Sequence, residues 1–177
     1  DLLGETKKYE DSKHDFDVQE NLLFRLSDDR MYAIPLSLVS RLEEFSSNKV
    51  EKTGNQPIIR YLDTPMPLIN IEQTLQLDGT SLLNALDKNV QHALPCIVVG
   101  IRGKNYGLIV KEILDISIDD VKLSNNAVDR EGILGTVFIG EDTVSVIDLY
   151  SILSLQSFGK KTIKTHISDS DPDRVER

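Results

Sequence analysis

The apolar residues of this chain fall in short runs separated by turn-forming residues. From Leu22, "LLFRLSDDRMYAIPL" is apolar, turns polar across Ser27 to Arg30, and becomes apolar again. Two β-prone runs around an Asp-Asp turn predict a β-hairpin. In "SLVSRLEEF" (Ser37 to Phe45), Leu38, Val39 and Leu42 suit one short helical turn or a bent strand. Pro35 limits strand pairing just before it. "EKTGNQ" (Glu51 to Gln56) reads as a loop containing Gly54. "PIIRYLDTPMPLINIEQTL" then predicts strand, turn at Asp63 to Pro65, strand, and a short helix around Ile71 to Leu75. Beyond it, "DGTSLLNALDKNVQHAL" offers Thr80 or Ser81 as a helix N-cap and spaces Leu82, Leu83, Leu86 and Val90 for a short amphipathic helix.

The same pattern then occurs again. "LLFRLSDDRMYAIPLSLVSRL" from Leu22 lies over "CIVVGIRGKNYGLIVKEILDI" from Cys96 without gaps, at an offset of 74. Tyr32 meets Tyr106, Ile34 meets Leu108, Leu36 meets Val110 and Val39 meets Ile113. "IIRYLDTPMPLINIEQTL" lies over "TVFIGEDTVSVIDLYSIL" at an offset of 78, with Leu68 on Val146, Ile69 on Ile147, Ile71 on Leu149 and Leu75 on Leu153. One unit of hairpin, bent segment, second hairpin and short helix is therefore expected twice. The first half covers about residues 21–77, a connection 78–93, and the second half about 94–156. Small antiparallel units of four or five strands close into barrels or sandwiches to remove their edges. An all-β fold of two small barrels sharing an interface follows. Residues 1–20 read as an acidic linker and 157–177 as a polar tail outside the core.

Composition narrows the partners. The 177 residues are 40% hydrophobic and 28% charged, which is ordinary for a folded domain. The net charge of −9 and the scarcity of aromatics argue against nucleic-acid binding. No apolar run approaches the length that spans a bilayer, so direct membrane insertion is not expected. The start "DLLGETKKYE" is no signal peptide and has no initiator Met, which reads as a domain excised from something longer. A single cysteine, Cys96, cannot form an internal disulfide and fits a reducing, cytoplasmic setting.

Catalytic candidates are weak. His14, His92 and His166 lie in no metal-ligand spacing. Cys96 opens the continuous apolar run "CIVVGI", the setting of a buried structural thiol. The glycines of "GIRGKNYG" fit no phosphate-binding motif, because a strand follows where a helix is required. Gly132 and Gly135 look like turn or bulge glycines. "DSDPD" (Asp169 to Asp173) begins like a calcium loop but has Pro172 at the fourth position and no glycine at the sixth. The acid pairs Glu43–Glu44, Asp119–Asp120 and Glu141–Asp142 read as solvated turn residues. No enzyme activity, cofactor or metal is expected of this segment.

Over about residues 21–155 the chain resembles a CheW-like domain. "YAIPL", "MPLINIEQTL", "YGLIVKEIL" and "VSVIDL" carry the resemblance in that order. It implies two side-by-side, five-stranded, SH3-like β-barrels, matching the duplication. Family members are free chemotaxis coupling proteins or the C-terminal regulatory domain of the CheA histidine kinase. "SRLEEF", "GNQPIIRYLDTPMPLI" and the acidic lead-in are more similar to the kinase-attached form. The tail "HISDSDPDRVER" resembles the start of a receiver domain, with Asp169 on the first acid and Ser170 where a second acid is usual. That attachment would fit a hybrid kinase or a CheV-like adaptor.

The resemblance implies a scaffold at receptor arrays. Its partners would be a CheW-type coupling protein, the chemoreceptor cytoplasmic tip and the kinase domains of the same chain. A free-standing CheW/CheV-like adaptor is the alternative, and a ligand- or nucleic-acid-binding barrel the remaining class. The candidate docking residues are the bent segments of the two halves: Leu38, Val39 and Leu42, with Ile113 and Leu114. Core packing is the competing role of each, and the stronger one for Val39 and Ile113.

Overall fold

The computed structural model describes residues 20–77, 81–83, 86, 89–118 and 130–156. Strands β1 (Asn21–Arg25) and β2 (Met31–Pro35) form the first hairpin, and a 3₁₀ turn over Leu36–Leu38 leads into β3 (Val39–Ser46). After a second 3₁₀ turn come β4 (Glu51–Thr53), β5 (Gln56–Tyr61), β6 (Thr64–Ile69) and helix α1 (Ile71–Thr74). The second half supplies β7 (Ala93–Ile101), β8 (Lys104–Ile109), β9 (Glu112–Ser117), β10 (Ile133–Ile139), β11 (Asp142–Ile147) and helix α2 (Leu149–Leu155).

The strands form two SH3-like barrels, but neither barrel is one half of the sequence. Barrel I has the order β10-β11-β2-β1-β9, and barrel II the order β3-β7-β8-β6-β5-β4. Each half lends its first hairpin to the barrel that the other half completes. The two orders are equivalent strand for strand, except that β4 adds a sixth strand to barrel II. The exchange is sealed by two short parallel ladders, where Ala33 of β2 faces Val146 of β11, and Gly107 of β8 faces Leu68 of β6. These are duplicated positions, since 33 + 74 = 107 and 68 + 78 = 146. A small residue stands at each seam because the side chain there points into a filled barrel.

The duplication extends to fine detail. Asn70 caps α1 by accepting from the Gln73 amide, and Asp148, 78 positions on, caps α2 by accepting from the Ser151 amide. Both β3 and β9 carry a β-bulge, at Ser40 and at Leu114. A bulge bends an edge strand and re-aims its side chains.

Three expectations need correction. The repeats are not gapless. In β7–β8, Ile101 faces Lys104 across a two-residue turn whose Arg102 and Gly103 have φ of 52° and 76°, as a type I′ hairpin requires. The β1–β2 turn is one residue longer, with Asp29 at φ 62° donating its amide to the Leu26 carbonyl. The structural equivalent of Leu22 is therefore Ile97, not Cys96. "EKTGNQ" is not a plain loop, because Glu51–Thr53 pairs with β5. Among the described residues of 81–90 none is helical. The amide of Leu82 is instead held by the Glu72 carboxylate at 2.6 Å. A helix of so few residues is marginal without such amides as part of its own ladder.

The core lies in three parts. The largest sits between the barrels and includes Leu22, Phe24, Ile34, Ile97, Leu108 and Ile152, all 0–1% exposed. Barrel II is filled by Ile59, Met66, Leu68, Cys96, Val98 and Ile109. Barrel I has the smaller filling of Leu23, Ala33, Val137, Val144 and Val146. Inner and outer faces of β1 and β7 are both buried, one by a barrel and one by the shared layer, so these strands read as continuous apolar runs.

Candidate docking surfaces

The five residues expected at docking surfaces separate by exposure. Leu38 and Val39 are half-buried against the shared core, and so is Ile113. Leu114 sits in the β9 bulge, half-buried against the filling of barrel I. Leu42 alone is open, at 46% exposure on β3, the outer strand of barrel II. Its duplicate is Ile116 on β9, the outer strand of barrel I, at 44% exposure. The sequence reading missed Ile116, although the same offset leads to it, since 42 + 74 = 116.

Both residues lie just past the bulge, where their strands pair with Ile97 and Leu22. Each presents an aliphatic side chain to solvent on a strand whose other edge is unpaired among the described residues. The neighbours differ in charge. Arg41 precedes Leu42 and pairs with Glu43 at 3.3 Å, whereas Asp115 precedes Ile116. Glu44 follows on the strand of Leu42, so the two positions are duplicated while their polar neighbours differ, an Arg41–Glu43 ion pair at one and Asp115 at the other. Around β9, Lys111 pairs with Asp29 and holds that carboxyl below its ordinary range, chiefly through the hydrogen bond. Arg25 meets Glu112 at 3.5 Å. Further exposed apolar residues stand on barrel I: Leu134 and Phe138 on β10, at 48% and 74%.

The chemical candidates resolve as structural residues where they are described. Cys96 is fully buried, and burial, then the nearby Glu43, pushes its thiol from the ordinary 9.0 up to about 12. Tyr32 is likewise raised, by burial and by its 2.6 Å hydrogen bond to Asp28. Folded-state values above the unfolded ones mean stability that is full below about pH 9 and declines as pH rises toward 12. Urea unfolding at pH 8, 9 and 10 should show stability falling by about 1 kcal/mol per unit once pH passes the free-thiol value. A flat profile in a range where the fold survives would remove the burial argument, and Cys96→Ala should flatten part of the slope.

Arg102 and Gly103 make the tight turn expected of "GIRGKNYG", and Gly107 is the small residue of a strand interior. Gly132 has φ 87°, and a Cβ there would stand 2.8 Å from Leu75 of the α1 end. His92 is exposed, and its amide donates to Ser47 Oγ at 2.8 Å. His14, His166, Asp119–Asp120 and "DSDPD" lie outside the described residues, as do the linker before residue 20 and the tail from 157. Among the described residues no group of three His, Cys, Asp or Glu side chains could hold a metal ion. No described helix is long and apolar enough to cross a membrane.

The comparisons agree with this architecture. A family model described as "CheW-like domain" matches residues 20–157. No curated protein matches the chain. Among solved structures, the scaffolding protein TtCheW from Thermoanaerobacter tengcongensis superposes with a TM-score of 0.63 at 16% identity, over 78% of this chain and 94% of that one. At that identity the likeness is one of fold.

Proposed function

The chain belongs to the CheW-like domain family, and from that premise we propose that it is a non-catalytic coupling module linking chemoreceptors to a histidine kinase through two inequivalent docking edges. The observation that carries this reading is the pair Leu42 and Ile116. They occupy duplicated positions on the outer strands of the two barrels, are open to solvent, and have different polar neighbours, the Arg41–Glu43 ion pair beside Leu42 and Asp115 beside Ile116. An exposed aliphatic centre with a polar rim is the pattern of a protein-docking patch. The different polar rims let each edge favour its own partner.

The partners in this reading are a CheW-type coupling protein and the cytoplasmic tip of a chemoreceptor, in the cytoplasm at receptor arrays. The acidic lead-in and "GNQPIIRYLDTPMPLI" favour the regulatory domain of a CheA-type kinase over a free CheW/CheV-like adaptor. In the kinase, a docked receptor would bias the catalytic domains of the same chain through rigid contacts. The half-buried Leu38, Val39, Ile113 and Leu114 would support the edges from beneath.

Pull-down with a coupling protein, a receptor cytoplasmic fragment and single-stranded DNA tests this directly. Leu42→Asp and Ile116→Asp should each weaken one protein partner at least tenfold while thermal stability stays within about 2 °C, because neither side chain is in the core. Binding to DNA alone would sink the coupling reading. Equal loss of both partners from both variants would sink the two-edge assignment.

A further inference from the structure

β10 is the outer strand of barrel I on the side away from β9, and its far edge is unpaired among the described residues. Barrel II treats the same edge differently. The strand equivalent to β10 is β5, because the two hairpins share one register. Ile58 faces Pro67 and Thr136 faces Ser145, each pair 78 positions apart (58 + 78 = 136, 67 + 78 = 145). The edge of β5 is covered by β4, with Glu51 facing Ile58 and Thr53 facing Gln56. The residues that enter β10 take another course. Gly132, at φ 87°, gives its carbonyl to the Asp148 amide, and the Arg130 guanidinium donates to the Leu75 carbonyl at 2.6 Å. The chain therefore reaches β10 from the ends of the two helices, and these residues do not fold back along its edge.

The side chains differ in a telling direction. β5 carries Gln56 and Arg60 where β10 carries Leu134 and Phe138 (56 + 78 = 134, 60 + 78 = 138). Leu134 and Phe138 are 48% and 74% exposed, and Ile133–Ile139 contains neither a charge nor a proline. Open strand edges are ordinarily blunted by charges, proline or a covering element, because their free amides and carbonyls invite a further strand. Here the covered edge carries the charge and the open edge the apolar pair, the reverse of what protection requires. The two ends of β10 are acidic, with exposed Glu131 at one and exposed Glu141 and Asp142 at the other.

We propose that the open edge of β10 receives an extended segment of a different protein as the sixth strand of barrel I, a segment of alternating β-branched residues with Lys or Arg at its ends. Main-chain hydrogen bonds hold such a strand, and contacts with its cross-strand neighbours Leu134 and Phe138 select its apolar side chains. The basic ends meet Glu131 and the Glu141–Asp142 pair. A second copy of this chain is the poorer occupant. Antiparallel pairing of two β10 strands about Thr136 sets Leu134 against Phe138, but brings the Glu131 end of one strand to the Glu141 end of the other. The net charge of −9 adds to that repulsion. The edge uses neither Leu42 nor Ile116 and stands independently of the coupling reading.

The test uses the full chain and two synthetic peptides of alternating Val and Thr, one with Lys at both ends and one with Glu. Binding is read by fluorescence anisotropy and its place by amide exchange. The Lys peptide should bind and protect edge amides of β10 that exchange freely without it, and the Glu peptide should bind at least tenfold more weakly. The double variant Leu134→Gln, Phe138→Arg gives β10 the side chains of β5. It should melt within about 2 °C of the wild type, because both positions are exposed, yet lose affinity for the Lys peptide at least tenfold. Edge amides already protected in the free chain would show that the chain's own residues cover the edge, and protection that grows with protein concentration would show self-pairing. Either result would overturn the proposal, as would equal binding of the two peptides, normal binding by the double variant, or no binding at all.

Discussion

Gly107→Ala should lower stability by about 2–3 kcal/mol, at the upper end of the cost of overpacking a filled core. A Cβ at this position would stand 2.7 Å from Leu68 Cδ2, 3.0 Å from Cys96 Sγ and 3.1 Å from Met66 Cε. All three atoms end side chains, which normally swing aside at little cost. Here they cannot, because Leu68, Cys96 and Met66 are 0–2% exposed and fill barrel II. Moving the backbone is no easier, since β8 is paired on both sides, to β7 and in parallel to β6. For a chain of this size the loss corresponds to a melting point lower by about 5–10 °C. Ala33 is the internal control, because the duplicated seam of barrel I already accommodates that methyl group at 1% exposure. Thermal melts of Gly107→Ala beside a substitution at the open turn glycine Gly54 would separate overpacking from loss of glycine freedom. If Gly107→Ala melts within 2 °C of wild type, the seam is not close-packed.

The same seam marks the limit of what the sequence disclosed. The two hairpins of each half, the short helices after β6 and β11, and the duplication were all legible, because turn residues and apolar spacing are local. The exchange of hairpins between barrels was not. An offset between two segments says that they are alike, and is silent on whether β6 pairs with β5 alone or also with β8 of the other half. The one-residue slip of β1 was hidden for a related reason. A strand buried on both faces, such as "LLF" or "CIVV", has no alternation to set its phase, so either register matches equally well. β4 escaped because Glu51, Lys52 and Thr53 are all exposed and carry little β signal. Among the docking candidates, the sequence pointed Val39 more strongly to the core than Leu42, without showing what separates them. The bulge at Ser40 turns one outward and leaves the other on the core, and a bulge leaves no mark in the hydrophobic pattern.

The second large effect is expected at Glu72, a carboxylate only 4% exposed in the middle of the fold. Its Oε1 accepts from the Ser27 amide at 2.8 Å, and its Oε2 accepts from the Leu82 amide at 2.6 Å. Ser27 is in the β1–β2 turn of barrel I, while Leu82 belongs to the connection that packs on barrel II. One side chain on α1 thus ties together a turn and a connection that the strand ladders do not join. Hydrogen bonds to an ionised acceptor contribute about 1.5–3 kcal/mol each, and amides left without a partner on burial cost more than the bond itself returned. Glu72→Ala should therefore lose about 3–4 kcal/mol, among the largest single-residue losses in the molecule. Glu72→Gln keeps the shape and one acceptor but turns an N–H against one of the two amides, and should lose about half as much. The site of the damage is as diagnostic as its size. In amide exchange, Ser27 and Leu82 should lose protection first in Glu72→Gln, before the β1–β2 ladder, because the carboxylate holds the turn and not the strands. A Glu72→Gln chain with wild-type stability and unchanged exchange at both amides would show that barrel packing alone positions the connection.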